Sequence, residues 1–212
     1  HIDMALLDTQ VAMLANLGAN YLVSGQKEGK VPGRAGNAHQ NIVPYQVFEV
    51  APAANGQKDH IILAVGNDGQ YVKFCAVANC PELATDERFA KNANRVRHRD
   101  VLVPMLAKIM LTRSKADWLS ALEAAKVPCG AINNLAEVFA DPHVRSREMV
   151  TTWDHPASGP VDLVSSPMKL SATPVRRDLP PPLLGEHTHD VLRDLLHMDD
   201  QAIAKLRAQH II

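Results

Sequence analysis

The 212-residue sequence predicts a soluble α/β chain, and it does so on three grounds. Its 46% hydrophobic and 21% charged residues allow a sizeable buried core. Two runs rich in β-branched and aromatic residues, Ile42 to Val50 and His60 to Val65, flank the turn signal Asn55-Gly56 and read as a hairpin. The second run then passes through Gly66-Asn67-Asp68-Gly69 into a stretch bearing Tyr71, Phe74, Cys75 and Val77, which gives the order strand, glycine turn, helix.

The remaining elements follow in chain order. From Asp3 to about Tyr21, Met4, Leu7, Val11, Leu14 and Gly18 recur three and four apart, widened by Leu6, Met13 and Leu17. That pattern predicts a largely buried helix with Asp3 as its N-cap. Ser24 to Asn41 carries Gly25, Gly29, Pro32, Gly33 and Gly36 among charged residues and reads as a linker at a domain boundary. Pro44 would remove a ladder hydrogen bond from a central strand, so it belongs at a sheet edge or at a strand's start. Helices are expected over Asn94 to Leu111 and Ser114 to Ala125, the second opened by Ser114 with Asp117 in the capping-box position and ended by Pro128. A short extended piece, Val127 to Asn133, leads to Asn134 as cap of a helix from Leu135 to Ala140. Met149 to Thr173 suggests short strands, Pro180-Pro181-Pro182 a stiff spacer, and two helices near His187 to Leu196 and Asp199 to Gln209 close the chain.

Lysine and arginine number 22 against 23 aspartate and glutamate, so no basic surface is expected to attract nucleic acid. No apolar run reaches the roughly 20 residues that cross a bilayer. Cys75, Cys80 and Cys129 lack Cys-x-x-Cys spacing and read as small buried apolar side chains in a reducing, cytoplasmic setting. The beginning, His1-Ile2-Asp3, runs at once into a helix pattern, and a chain cut from something longer is expected.

No self-sufficient catalytic motif is present: no G-x-S-x-G elbow, no H-E-x-x-H, no P-loop and no complete G-x-G-x-x-G. His187 and His189 are two apart, too close to share one helix face, so no metal site is expected. The segment that can carry chemistry is Val65-Gly66-Asn67-Asp68-Gly69-Gln70-Tyr71. Backbone amides at such a turn can face an anion or a developing oxyanion. Spacing alone equally fits an ordinary strand-to-helix turn with Asp68 as N-cap.

Several ordered stretches resemble a known family. They are Ile2-Asp3-Met4-Ala5-Leu6-Leu7-Asp8, Gly36-Asn37-Ala38-His39 leading to Ile42 through Phe48, the Gly66 to Tyr71 turn, and Val127 through Asn133. Val138-Phe139-Ala140-Asp141-Pro142, His155-Pro156, Ser166-Pro167 and Leu183-Leu184-Gly185-Glu186-His187-Thr188 follow in order. Together they are similar to the carboxy-terminal half of class III (CaiB/BaiF-type) coenzyme A transferases. Ala131 departs from the proline common there, and Asn67 and Asp68 replace glycines often found in the middle of the loop.

The resemblance implies an interlocked dimer, each subunit having a doubly wound α/β large domain and a small α+β domain. On that template residues 1–23 are a large-domain helix, 24–40 a linker, 41–144 the small domain, 145–182 a return linker with short strands, and 183–212 carboxy-terminal helices of the large domain. It implies transfer of CoA from an acyl-CoA to a carboxylic acid, with a small dicarboxylate as acceptor, through an aspartyl-CoA thioester. The nucleophilic aspartate would lie in an amino-terminal half outside these residues, present in a longer chain or as a separate one, so no catalytic residue is assigned here. Gly66, Asn67, Asp68, Gly69 and Gln70 would be the substrate-binding loop, with CoA thioester as substrate and no tightly bound cofactor. Two alternatives stay open: a 2-methylacyl-CoA racemase, in which Asp68 would support a proton-transfer histidine, and an inactive fragment acting only in assembly.

Overall fold

The computed structural model describes residues 3–34, 36–176 and 179–212. His1, Ile2, Ala35, Arg177 and Asp178, which fall in the expected first helix, linker and return path, lie outside the described residues. The chain divides into two compact units, His1–Ile132 and Asn133–Ile212.

In the first unit, the hairpin expected from Asn55-Gly56 is present: β1, Tyr45–Val50, pairs antiparallel with β2, Asp59–Ala64, with Phe48 opposite Ile61. Gly56 has φ +77°, a left-handed conformation that glycine adopts without steric cost. β3, Cys129–Ala131, adds antiparallel to β2, so β1 is an edge strand and Pro44 immediately precedes it, as the missing N–H requires. Alternation along β1 and β2 buries Phe48, Val50, Ile61 and Leu63 on one face. Helices cover that face: α3 (Asp68–Val77), α4 (Pro81–Thr85), α5 (Asn92–Arg97), α6 (Arg99–Met110) and α7 (Lys115–Ala124). Their buried side chains, Tyr71, Phe74, Leu102, Leu106, Met110, Trp118 and Leu122, complete one core with the sheet. Cys75 and Cys80 are buried in it and Cys129 is half-buried, as small apolar residues would be.

Three expectations are corrected. The helix expected over Asn94 to Leu111 begins at Asn92 and breaks at His98, which sits between α5 and α6 with φ −105° and ψ 25°. The helix expected over Ser114 to Ala125 is present as Lys115–Ala124 between those two caps, but Lys126, left-handed at φ 57°, ends it before Pro128 is reached. The first helix is α1 (Leu6–Met13) and α2 (Ala15–Asn20), interrupted at Leu14; Asp3 does not cap it, the N-cap being Ala5 with no side-chain hydrogen bond. Its apolar stripe is exposed, Leu6 at 88% and Met13 at 80%, because none of the described residues covers it.

Ser114 caps α7 as its spacing predicts, its Oγ accepting from the Asp117 N–H at 3.2 Å and donating to Asp117 Oδ2 at 2.7 Å. Ser114→Ala is therefore expected to cost about 1 kcal/mol, read as a lowered urea midpoint with an unchanged denaturant slope.

In the second unit, Asn134 and Glu137 form a full capping box on α8, Leu135–Ala140. Asp141 caps the short α9, Pro142–Ser146, and β4 (Val150–His155) pairs antiparallel with β5 (Gly159–Val164). A turn at Thr188–Asp190 continues through Val191–Leu195, and Asp199 caps the closing helix Asp200–Ala208. Among the described residues no helix is long and apolar enough to cross a membrane.

Candidate active-site loop

The five residues singled out by sequence, Gly66, Asn67, Asp68, Gly69 and Gln70, form one turn between β2 and α3. Asn67 is the N-cap, extended at φ −153° and ψ 170°, and its Oδ1 accepts from the Gln70 N–H at 2.9 Å. The expected cap, Asp68, is instead the first helical residue, since Asn67 already occupies the capping position. The Gln70 side chain folds back so that its Oε1 accepts from the Gly66 N–H at 2.7 Å. The N–H groups of Asn67, Asp68 and Gly69 have no hydrogen-bond acceptor among the described residues. They lie at the amino end of a ten-residue helix, where the backbone dipole favours negative charge.

Neither Gly66 nor Gly69 has a positive φ, so backbone conformation does not require glycine at either place. A Cβ would come 3.2 Å from Gln70 Oε1 at Gly66 and 3.4 Å from Asn67 Oδ1 at Gly69. The first contact is with the end of the Gln70 side chain, which would have to give by a few tenths of an ångström, and the second is ordinary van der Waals contact.

Asp68 points the other way, into a polar network. Its Oδ1 accepts from Arg95 Nη2 at 3.0 Å and from the Asn92 N–H at 2.9 Å, while Lys91 Nζ stands 3.5 Å from Oδ2. Arg95 is fully buried; its Nε donates to the Val43 carbonyl at 2.6 Å and its Nη1 to the Phe89 carbonyl at 2.9 Å. The guanidinium also lies over the Tyr71 ring, 4.2 Å from the centroid. Asn92 ties in the end of the linker, with its Oδ1 accepting from the Val43 N–H at 3.1 Å and its Nδ2 donating to the Asn41 carbonyl at 2.8 Å. Arg99 Nη2 donates to the carbonyls of His39 and Gln40 at 2.8 and 2.7 Å. Sequence reasoning did not single out Arg95 or Asn92. Both belong to a polar helical stretch whose partners are distant along the chain, and no local pattern marks them.

Burial by itself would raise the Asp68 carboxyl, but the Arg95 hydrogen bond, the Asn92 amide and the charges of Arg95 and Lys91 hold it below the usual aspartate value. A depressed folded pKa contributes stability that is present above the unfolded value of about 3.9 and lost as pH falls through the folded one. The stability difference between the parent protein and Asp68→Asn is accordingly expected to be constant near neutral pH and to shrink below about pH 4. Denaturant titrations at several pH values measure it, and a gap that instead widens with acid would contradict the assignment.

A hollow of about 600 Å³ with apolar walls at Phe139, Val144, Val150 and Leu163 lies within the second unit, and no residue of the loop lines it. Among the described residues there is no group of three or more histidine, cysteine, aspartate or glutamate side chains able to hold a metal ion.

The profile of CoA-transferase family III matches residues 1–188. The chain belongs to that family. Succinate–glutarate CoA-transferase from Agrobacterium fabrum is 44% identical over 195 residues, covering 92% of this chain and 46% of its own length. Human succinyl-CoA:glutarate CoA-transferase is 36% identical over 211 residues, covering the whole of this chain and 46% of its own. The chain thus spans about half the length of the curated relatives it matches. The crystal structure of a CAIB/BAIF family protein from Brucella suis superposes with a TM-score of 0.69 at 40% identity, over 92% of this chain and 48% of that one. The mixed α/β fold with small sheets is that of the Brucella protein.

Proposed function

We propose that this chain is part of a CoA transferase that moves coenzyme A from an acyl-CoA to a small dicarboxylic acid, with Gly66 to Gln70 covering the reacting thioester. The observation that carries the loop's role is the turn itself: three unengaged amides at a helix start, fronted by two glycines that the backbone does not need. Support for the substrate class comes from the two relatives named for succinate and glutarate.

In this reading a carboxylate supplied from outside these 212 residues attacks the thioester carbonyl carbon. The CoA thiolate leaves and a mixed anhydride forms. The thiolate then attacks the enzyme's acyl carbon, releasing the donor acid and leaving an enzyme-bound CoA thioester. The acceptor carboxylate repeats the two steps in reverse. Both intermediates hydrolyse readily, so a lid that keeps water away is needed for transfer to outcompete loss. Residues 41–144 act as the small domain presenting this lid, joined by the linker 24–40 and the return path 145–182 to large-domain parts at 1–23 and 183–212. Two subunits interlock.

The test is CoA exchange by the full-length enzyme given succinyl-CoA and glutarate. The expected result is glutaryl-CoA and succinate in equal amounts. No exchange with any small dicarboxylate, together with solvent deuterium entering the α-carbon of a 2-methylacyl-CoA, would sink the proposal.

A further inference from the structure

We infer that the Asp68–Arg95 pair is a strut that sets where the loop stands over the reacting thioester, which makes Arg95 a positioning residue for CoA transfer. The inference rests on the lid reading above and adds to it the part that holds the lid in place.

The start of α3 does not need this pair in order to form. Asn67 already caps the helix, and a carboxylate in the first turn would gain from the helix dipole with no partner at all. Burying a guanidinium, by contrast, costs desolvation that an ion pair with a partly exposed carboxylate does not clearly recover. Asp68 keeps 37% of its side-chain surface while Arg95 keeps none. Such an arrangement is poor value as a stabiliser and well suited to fixing a direction, because the planar fork of arginine constrains several bonds at once. Here the fork's other bonds run to the Val43 and Phe89 carbonyls, one just before β1 and one between α4 and α5. The residue before the loop is held as well: the Val65 N–H donates to the Pro44 carbonyl at 3.0 Å. The turn is therefore pinned at Val65 and at Asp68, and only Gly66 and Asn67 lie between the two anchors. Small errors in the placement of groups around a reacting centre are expensive, of order a hundredfold in rate for about 1 Å.

The readout that separates positioning from plain stability is the partition of each CoA thioester consumed, between transfer to glutarate and attack by water. It is a ratio within one reaction and does not depend on how much enzyme is folded. Asp68→Ala alone leaves the Arg95 charge buried and unpaired, so the variant of choice in the full-length enzyme is Asp68→Ala with Arg95→Met, which removes the strut and fills the space with an apolar chain. The hydrolysed share is expected to rise about tenfold and kcat for transfer to fall, with KM for glutarate little changed. Asp68→Asn, which still accepts from Arg95 and Asn92, is expected to shift the ratio less and in the same direction; it serves also if the double variant does not fold. Parent-like partition in the folded variants overturns the inference. Gly69→Val tells the two levels apart: if it raises hydrolysis while the strut variants do not, the lid stands and the strut falls, and if none of them does, both fall.

Discussion

Arg95→Ala is expected to destabilise the fold by about 2–4 kcal/mol, because it opens a cavity and leaves two buried carbonyls without their donor, while Asp68 stays partly exposed beside Lys91. Three donated hydrogen bonds go at once, and the buried Val43 and Phe89 carbonyls lose their donor. The face of Tyr71 loses the cation stacked on it. Arg95→Met separates the causes: it restores volume and is expected to recover the part of the loss that comes from the cavity, while the Val43 and Phe89 carbonyls stay without a donor. Urea denaturation followed by circular dichroism measures both. A loss below about 1 kcal/mol for Arg95→Ala would mean that water replaces the guanidinium, and that the side chain is not the buried centre of the network.

The second large effect is expected at Trp118. This fully buried indole joins α7 to the end of α6, donating from Nε1 to the Met110 carbonyl at 2.8 Å, and Arg113 covers its ring at 4.8 Å. Trp118→Ala should cost about 3–5 kcal/mol through the cavity it opens between helix and sheet. Trp118→Phe keeps a ring in place and leaves the Met110 carbonyl unpaired, so about 1–3 kcal/mol is expected. Equal losses for the two variants would assign the whole effect to the hydrogen bond and none to packing.

What could be read in advance followed the range of the forces involved. Turn and cap chemistry is local, and the reading held where Asn55-Gly56 closes the hairpin, Ser114 caps α7 and Asn134 caps α8; it failed at Asp3, since Ala5 stands at the N-cap of α1. Pro44 sits at the start of an edge strand because its missing N–H leaves few other places. The cap of α3 fell to Asn67 and not to its neighbour because Asp68 is drawn inward by a guanidinium 27 residues away. The break at His98 and the short α4 lie in stretches whose periodicity carries across them, so hydrophobic spacing could not mark their ends. Arg95 was hidden most completely. In Asn92-Ala93-Asn94-Arg95-Val96-Arg97 it reads as one more solvated side chain, and only tertiary packing shows that Val43, Phe89 and Asp68 converge on it. The loop's position was therefore legible from its glycines, and its anchoring was not.

The two loop glycines bear on enzyme engineering. Neither occupies a conformation closed to other residues; a small side chain at 69 meets only ordinary van der Waals contact and should carry little folding penalty, whereas one at 66 must push back the Gln70 side chain bonded there. Alanine at 69 would restrict the unfolded chain and is expected to add about 0.4–1 kcal/mol. A library of small side chains confined to codon 69 would then sort variants chiefly by catalytic performance, and acceptor range could be explored without a prior round of stabilisation.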